Sequence, residues 1–147
     1  MTIPLSIVRL LNPIVAALLR SPLHGLMSKD IMLITFTGRK TGRTYTTPVT
    51  YVRDGSRVKL FTQTPWWRNC RDGAGVTLLL EGAERRGKSE AFDQDRPRMT
   101  EALTDLLRRV PRDAGYYDVK IGPGGEPDTA DIERAIGDLA LVEIQLT

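Results

Sequence analysis

A Gly-bracketed basic segment, Gly38-Arg39-Lys40-Thr41-Gly42-Arg43, lies between two apolar, β-branched runs at residues 31–37 and 49–52. Runs of that kind read as strands, and the two glycines permit the positive φ that a tight reversal between them needs. Successive backbone N–H groups in such a reversal form a concavity for an anion. Arg39, Lys40 and Arg43 add formal charge to it. An ordinary solvated hairpin with a basic turn is the other reading of the same residues.

The distribution of charge favours an acidic ligand. Residues 39–90 hold 11 Lys/Arg against 5 Asp/Glu, a net of +6, whereas residues 91–147 hold 7 against 12, a net of −5. A basic middle followed by an acidic tail suits a small anionic partner gripped by the middle segment. Nucleic acid is disfavoured, because no helix-turn-helix signature, finger or basic helix is present and aromatic residues make up only 6%. The single cysteine, Cys70, rules out an internal disulfide and suits a reducing compartment, here the cytoplasm. The single histidine, His24, is far from Cys70 in sequence, which argues against a Cys/His catalytic pair and leaves too few ligands for zinc. Chemistry in this chain therefore depends on a bound organic molecule.

Two parts are expected along the chain: an apolar helical segment over residues 1–28 and one domain over residues 29–147. Asn12-Pro13 interrupts the apolar segment and suits an N-cap followed by Pro at the first helical position. Arg9, Asn12 and Arg20 break it too often for a bilayer span, and it lacks the small-residue cleavage site of a signal peptide. Residues 3–27 are expected either to pack on the domain core or to lie on a membrane surface, peripheral on the inner face of the cell membrane.

From residue 31 the texture is that of strands. Residues 31–37, 45–53, 57–63, 76–81 and 85–92 read as strands joined by turns, with Asp54-Gly55 a strong hairpin signal. Pro48 cannot donate to a ladder and belongs at an edge or a bulge. Residues 66–71 predict one or two helical turns, residues 96–110 and 128–137 helices, and residues 139–146 a closing strand. Six or seven short, hairpin-linked strands with few helices favour a small antiparallel barrel.

Gly38-Arg39-Lys40-Thr41-Gly42-Arg43, Thr46-Thr47-Pro48, Tyr51-Val52-Arg53-Asp54-Gly55 and Trp66-Trp67-Arg68-Asn69, in that order, resemble the deazaflavin-dependent nitroreductase family. That resemblance covers residues 30–92 and implies a mainly β (α+β) split β-barrel of the FMN-binding type. It also implies an enzyme that moves a hydride from reduced coenzyme F420 to an electron-poor apolar acceptor: a quinone, enone, nitroaromatic or unsaturated lipid.

By the same resemblance, Arg39, Lys40, Thr41 and Arg43 would meet the acidic tail of the coenzyme. Thr46, Thr47, Pro48 and Val49 would shape the strand beside it. Thr62, Gln63, Trp66, Trp67, Arg68 and Asn69 would close over the phosphate and ring. Tyr116 or Tyr117, with Tyr117 preferred, is a candidate proton donor, with solvent the alternative. Two departures stand out: Tyr45 occupies a position where many members carry Arg, and residues 62–65 lack the glycines that precede the tryptophan in those relatives. A flavin mononucleotide enzyme and a non-catalytic lipid- or cofactor-binding barrel are the alternatives, and pairing into a homodimer is compatible with each.

Overall fold

A computed structural model of the chain describes residues 30–147. β1 (Ile31–Thr37) and β2 (Thr44–Thr50) pair antiparallel across the basic turn, with Ile31 opposite Thr50 and Thr37 opposite Thr44. β3 (Val52–Asp54) and β4 (Arg57–Thr62) form the Asp54-Gly55 hairpin. β5 (Ala74–Leu80) and β6 (Ala83–Phe92) form a third hairpin, and β7 (Ala140–Leu146) inserts between β6 and β4. The order is β2-β1-β5-β6-β7-β4-β3, antiparallel throughout. β2 comes back against β4, so the seven strands curl into a half-barrel.

Residues 45–53, expected as one strand, are divided. At Tyr51 the N–H donates to the Asp30 carbonyl at 2.9 Å, and the next residue, Val52, pairs with Lys59. The chain changes ladder partner there, from β1 to β4. Pro48 lies opposite Leu33 in the edge strand β2, the position that tolerates a missing donor.

Period-two alternation along β7 separates two cores. Ala140, Val142, Ile144 and Leu146 face the barrel interior with Met32, Ile34, Leu60 and Leu78. Leu141 faces the opposite layer, built on α1 (Arg96–Arg109) and α2 (Thr129–Ile136). Met99, Leu103, Leu106 and Leu107 recur at helical spacing and are buried there with Ile132 and Ile136. Asp95 and Asp128 cap the two helices by accepting from the N–H groups of Arg98 and Asp131. Glu143, nearly buried on the α1 side of the sheet, takes Arg98 at 3.0 Å with Arg57 and Lys59 each at 3.7 Å. That carboxylate ties α1 to β4 and β7.

The apolar segment, and with it the expected membrane contact of residues 3–27, lies outside the described residues. Among the described residues, no helix is long and apolar enough to cross a membrane.

Candidate functional site

The basic turn is a closed backbone unit. Gly38 N–H donates to the Arg43 carbonyl at 2.7 Å, and Gly42 N–H donates to the Gly38 carbonyl at 2.9 Å. Gly42 takes a φ of 68°, as a glycine at a reversal can. Gly38 does not take a positive φ and is required for a different reason. A Cβ there would lie 2.7 Å from a Tyr45 ring carbon and 2.8 Å from Thr41 Oγ1. Those two side chains meet each other at 3.0 Å through their hydroxyls, and Thr41 Oγ1 also accepts from Arg43 N–H at 3.2 Å.

Facing this turn is a 3-10 turn, Pro65–Cys70, with its proline at the first turn where no donor is needed. The spacing of a 3-10 turn buries Trp67 and Cys70 and leaves Trp66 and Asn69 half-buried at the surface. Phe36 stacks on Trp66 with centroids 4.9 Å apart at 15° and on Tyr45 at 5.7 Å and 26°. Three rings thus form one aromatic wall. Asn69 Oδ1 accepts from Arg39 N–H at 2.9 Å, its Nδ2 donates to the Trp66 carbonyl at 3.0 Å, and Arg39 Nη1 donates to the Arg68 carbonyl at 3.2 Å.

Between the two turns lies a cleft of about 620 Å³. Of the residues singled out in the sequence, Arg39, Lys40 and Thr41 line it from the basic turn and Thr46 and Thr47 from β2. Trp66, Arg68 and Asn69 line it from the 3-10 turn. Phe36, Gly38, Tyr45, Thr64 and Pro65 line it too and were not among the expected cofactor-binding residues. Tyr45 was legible as a departure from the family pattern, and Phe36 only as an apolar strand residue.

Other expected positions fall elsewhere. Arg43 is exposed at the end of the basic turn, and Pro48 and Val49 lie farther along β2. Thr62 and Gln63 lead into the 3-10 turn, Thr62 Oγ1 accepting from Thr64 N–H at 3.1 Å. Trp67 is buried in the barrel core, with the Arg71 and Arg68 guanidiniums 4.5 and 5.5 Å from its ring centroid. Tyr117 does not line the cleft. It packs in the helical core beside Val110, Ala114 and Val119, and burial pushes its hydroxyl well above the ordinary tyrosine range.

The cleft carries uncompensated positive charge. Among the described residues, Arg39, Lys40 and Arg68 of the cleft, and Arg43 outside its lining, have no carboxylate partner, whereas Arg53, Arg108, Arg109 and Arg134 are all paired. The N–H groups of Arg39, Gly42 and Arg43 are all engaged. Those of Lys40 and Thr41 have no partner among the described residues. Among the same residues, no group of three His, Cys, Asp or Glu is placed to hold a metal ion.

The family model for F420H(2)-dependent quinone reductase matches residues 19–110, a span that runs from before β1 to the end of α1 and includes both turns. The chain belongs to that family. F420H(2)-dependent quinone reductases are oxidoreductases that draw on the reduced deazaflavin coenzyme, so coenzyme F420 is the cofactor to test against this cleft. Its residues fit such a group: cations and two unused N–H groups for an acidic tail, and stacked rings for a planar system.

Solved structures resemble the chain in fold. A conserved hypothetical protein of Mycobacterium tuberculosis aligns at 14% identity over 82% of this chain and 75% of its own, with a TM-score of 0.59. A pyridoxamine 5'-phosphate oxidase-related, FMN-binding protein of Nostoc punctiforme aligns at 13% identity over 92% and 79%, with a TM-score of 0.54. A heme storage protein of Vibrio cholerae aligns at 10% identity over 82% and 84%, with a TM-score of 0.51. At those identities the likeness is one of fold, the split barrel. No curated protein matches the sequence significantly.

Proposed function

We propose that the cleft between the basic turn and the 3-10 turn holds F420 and presents its ring to a flat, electron-poor acceptor, a quinone or a compound of similar demand such as an enone or nitroaromatic. The observation that carries this reading is the meeting of unpaired cations and a three-ring aromatic wall in one cleft. When bound, the reduced coenzyme supplies the hydride. Protein groups supply binding, orientation and exclusion of water.

Arg39, Lys40 and Arg68 receive the phosphate and the tail carboxylates, where guanidinium forks give strong and geometrically selective bonds, and Arg43, exposed at the end of the turn, adds charge beside the cleft. The Lys40 and Thr41 N–H groups add donors to the same anionic end. Phe36, Trp66 and Tyr45 cover the ring and make the approach apolar, which selects a greasy acceptor. Thr46 and Thr47 shape the side of the cleft from β2. Tyr117 lies in the other core, so the proton for the reduced acceptor comes from solvent at the cleft.

Several unpaired cations favour a ligand with several negative charges over flavin mononucleotide, which has one phosphate. Titration of the purified chain while following deazaflavin fluorescence tests this directly. Saturable quenching or a shift at micromolar F420, in order of magnitude, is expected. Saturable binding of flavin mononucleotide with no response to F420 reassigns the cleft.

A further inference from the structure

The Asn69 side chain bonds to both walls of the cleft. Its Oδ1 accepts from the Arg39 backbone N–H at 2.9 Å and its Nδ2 donates to the Trp66 carbonyl at 3.0 Å. A primary amide is suited to this because it accepts and donates from one planar group. The Arg39 N–H belongs to no ladder or helix, whereas the Trp66 carbonyl belongs to the 3-10 turn that also carries Asn69. Arg39 is exposed on a turn otherwise tethered by its own internal bonds, by the Thr41 hydroxyl contact with Tyr45 and by the Arg39 Nη1 contact with the Arg68 carbonyl.

We propose that Asn69 is a positioning residue: a clasp that fixes the cationic turn against the aromatic wall, and not a group that touches the coenzyme. The clasp deepens the F420 reading of the cleft and rests on it. By occupying the Arg39 N–H, Asn69 settles which turn donors remain for an anion, namely those of Lys40 and Thr41. By holding the Trp66 carbonyl, it sets the 3-10 turn from which the Trp66 ring stacks on Phe36. The two ends of a ligand recognised at both places must be at a fixed separation, and preorganising that separation removes an ordering cost from binding.

The test uses the full chain with and without F420 and follows the Arg39 amide by hydrogen exchange and the Trp66 indole by NMR. In Asn69→Ala, Arg39 exchange accelerates about tenfold or more and F420 affinity falls about tenfold, the scale of losing hydrogen-bond restraint. The salt dependence of binding stays as in the wild type, because every charge is kept. Asn69→Asp preserves the acceptor arm alone. Protection of Arg39 therefore returns, while the Trp66 indole signal stays displaced as in Asn69→Ala.

Affinity lost in Asn69→Ala with Arg39 exchanging at the wild-type rate overturns the clasp and makes Asn69 a direct ligand contact. Unchanged affinity with unchanged exchange overturns it as well. If instead wild-type protein ignores F420 while Asn69→Ala still releases the Arg39 amide, the cofactor assignment fails and the clasp survives.

Discussion

Phe36, at the end of β1, and Trp66, in the 3-10 turn, stack at 4.9 Å and 15°, whereas the neighbouring Trp67 turns into the barrel core at 8% exposure. Adjacent tryptophans thus have different tasks. The first half-covers a cleft and the second holds the turn to the barrel.

Exchanging each for alanine separates those tasks. Trp67→Ala is expected to destabilise the fold by about 3–5 kcal/mol, the range for deleting a buried aromatic. Trp66→Ala, at a half-buried site, is expected to spare most stability and to weaken F420 binding about tenfold through loss of ring contact. Denaturant titration and coenzyme titration on both variants check this. The reverse pattern would assign the cleft to Trp67.

The basic turn makes a separate prediction. Lys40→Ala with Arg43→Ala removes two cations that have no carboxylate partner among the described residues, so folding loses no ion pair. Binding of a polyanionic coenzyme should weaken and its salt dependence should flatten, since exposed charge–charge attraction is screened over about 10 Å at 0.1 M salt. Affinity measured from low to moderate salt decides it. Unchanged affinity and slope would show that the turn faces solvent in function.

The strands, both helices and the helical turn after Pro65 were legible because each has a local cause: alternation, caps, a Pro or a Gly. Pro48 announced an edge and occupies one. The division at Tyr51 was hidden, because the N–H of that residue turns to Asp30 through tertiary pairing that no local pattern encodes. In the cleft, charged and turn residues stood out by type, and Arg39, Lys40 and Arg68 do line it. Phe36 was hidden because a cleft-lining ring and a core ring look alike in a strand. The place of Tyr117 was hidden for the opposite reason: a tyrosine invites a chemical role, and only the packing of α1 and α2 reveals that its ring is buried there.

Gly38 and Gly42 are required for different reasons, and substitution should tell them apart. At Gly42 nothing lies within 4 Å of an added Cβ, so Gly42→Ala pays only for its φ of 68°, on the order of 1 kcal/mol. Gly38→Ala drives a methyl into Tyr45 and Thr41 at 2.7 and 2.8 Å, costing about 1–3 kcal/mol and displacing the Tyr45 ring. Coenzyme affinity should therefore fall more in Gly38→Ala than in Gly42→Ala. Parallel denaturation and binding curves test the order.

Tyr117 offers a control on the source of the proton. Its ring is buried against the α1 and α2 layer, and burial holds its hydroxyl protonated throughout the ordinary pH range. Tyr117→Phe should leave kcat and its pH profile with a quinone acceptor within about twofold of the wild type, since a group contributing general acid catalysis would cost about 100-fold or more. A fall of that size would return Tyr117 to the chemistry.

Cys70 predicts how stability responds to alkali. Burial pushes its thiol from 9.0 up to about 12, against a smaller opposing effect from a hydrogen bond with Ser89. In the unfolded chain the thiol ionises near its ordinary value, while the folded protein retains the proton. The unfolded state therefore binds fewer protons between about pH 9 and 12, and stability falls as pH rises through that window. The slope approaches about 1.4 kcal/mol per pH unit for one fully differential proton. Tyr51, raised from 10.0 to about 12 mainly by burial, adds to the loss in the same direction. Denaturation at stepped pH should show the decline, and Cys70→Ala should make it shallower without abolishing it, because Tyr51 remains. Iodoacetamide, which needs the thiolate, should label the native protein at pH 8 far more slowly than the unfolded chain. Rapid labelling of the native state would mean that the thiol is accessible and ionised, against its place in the barrel core.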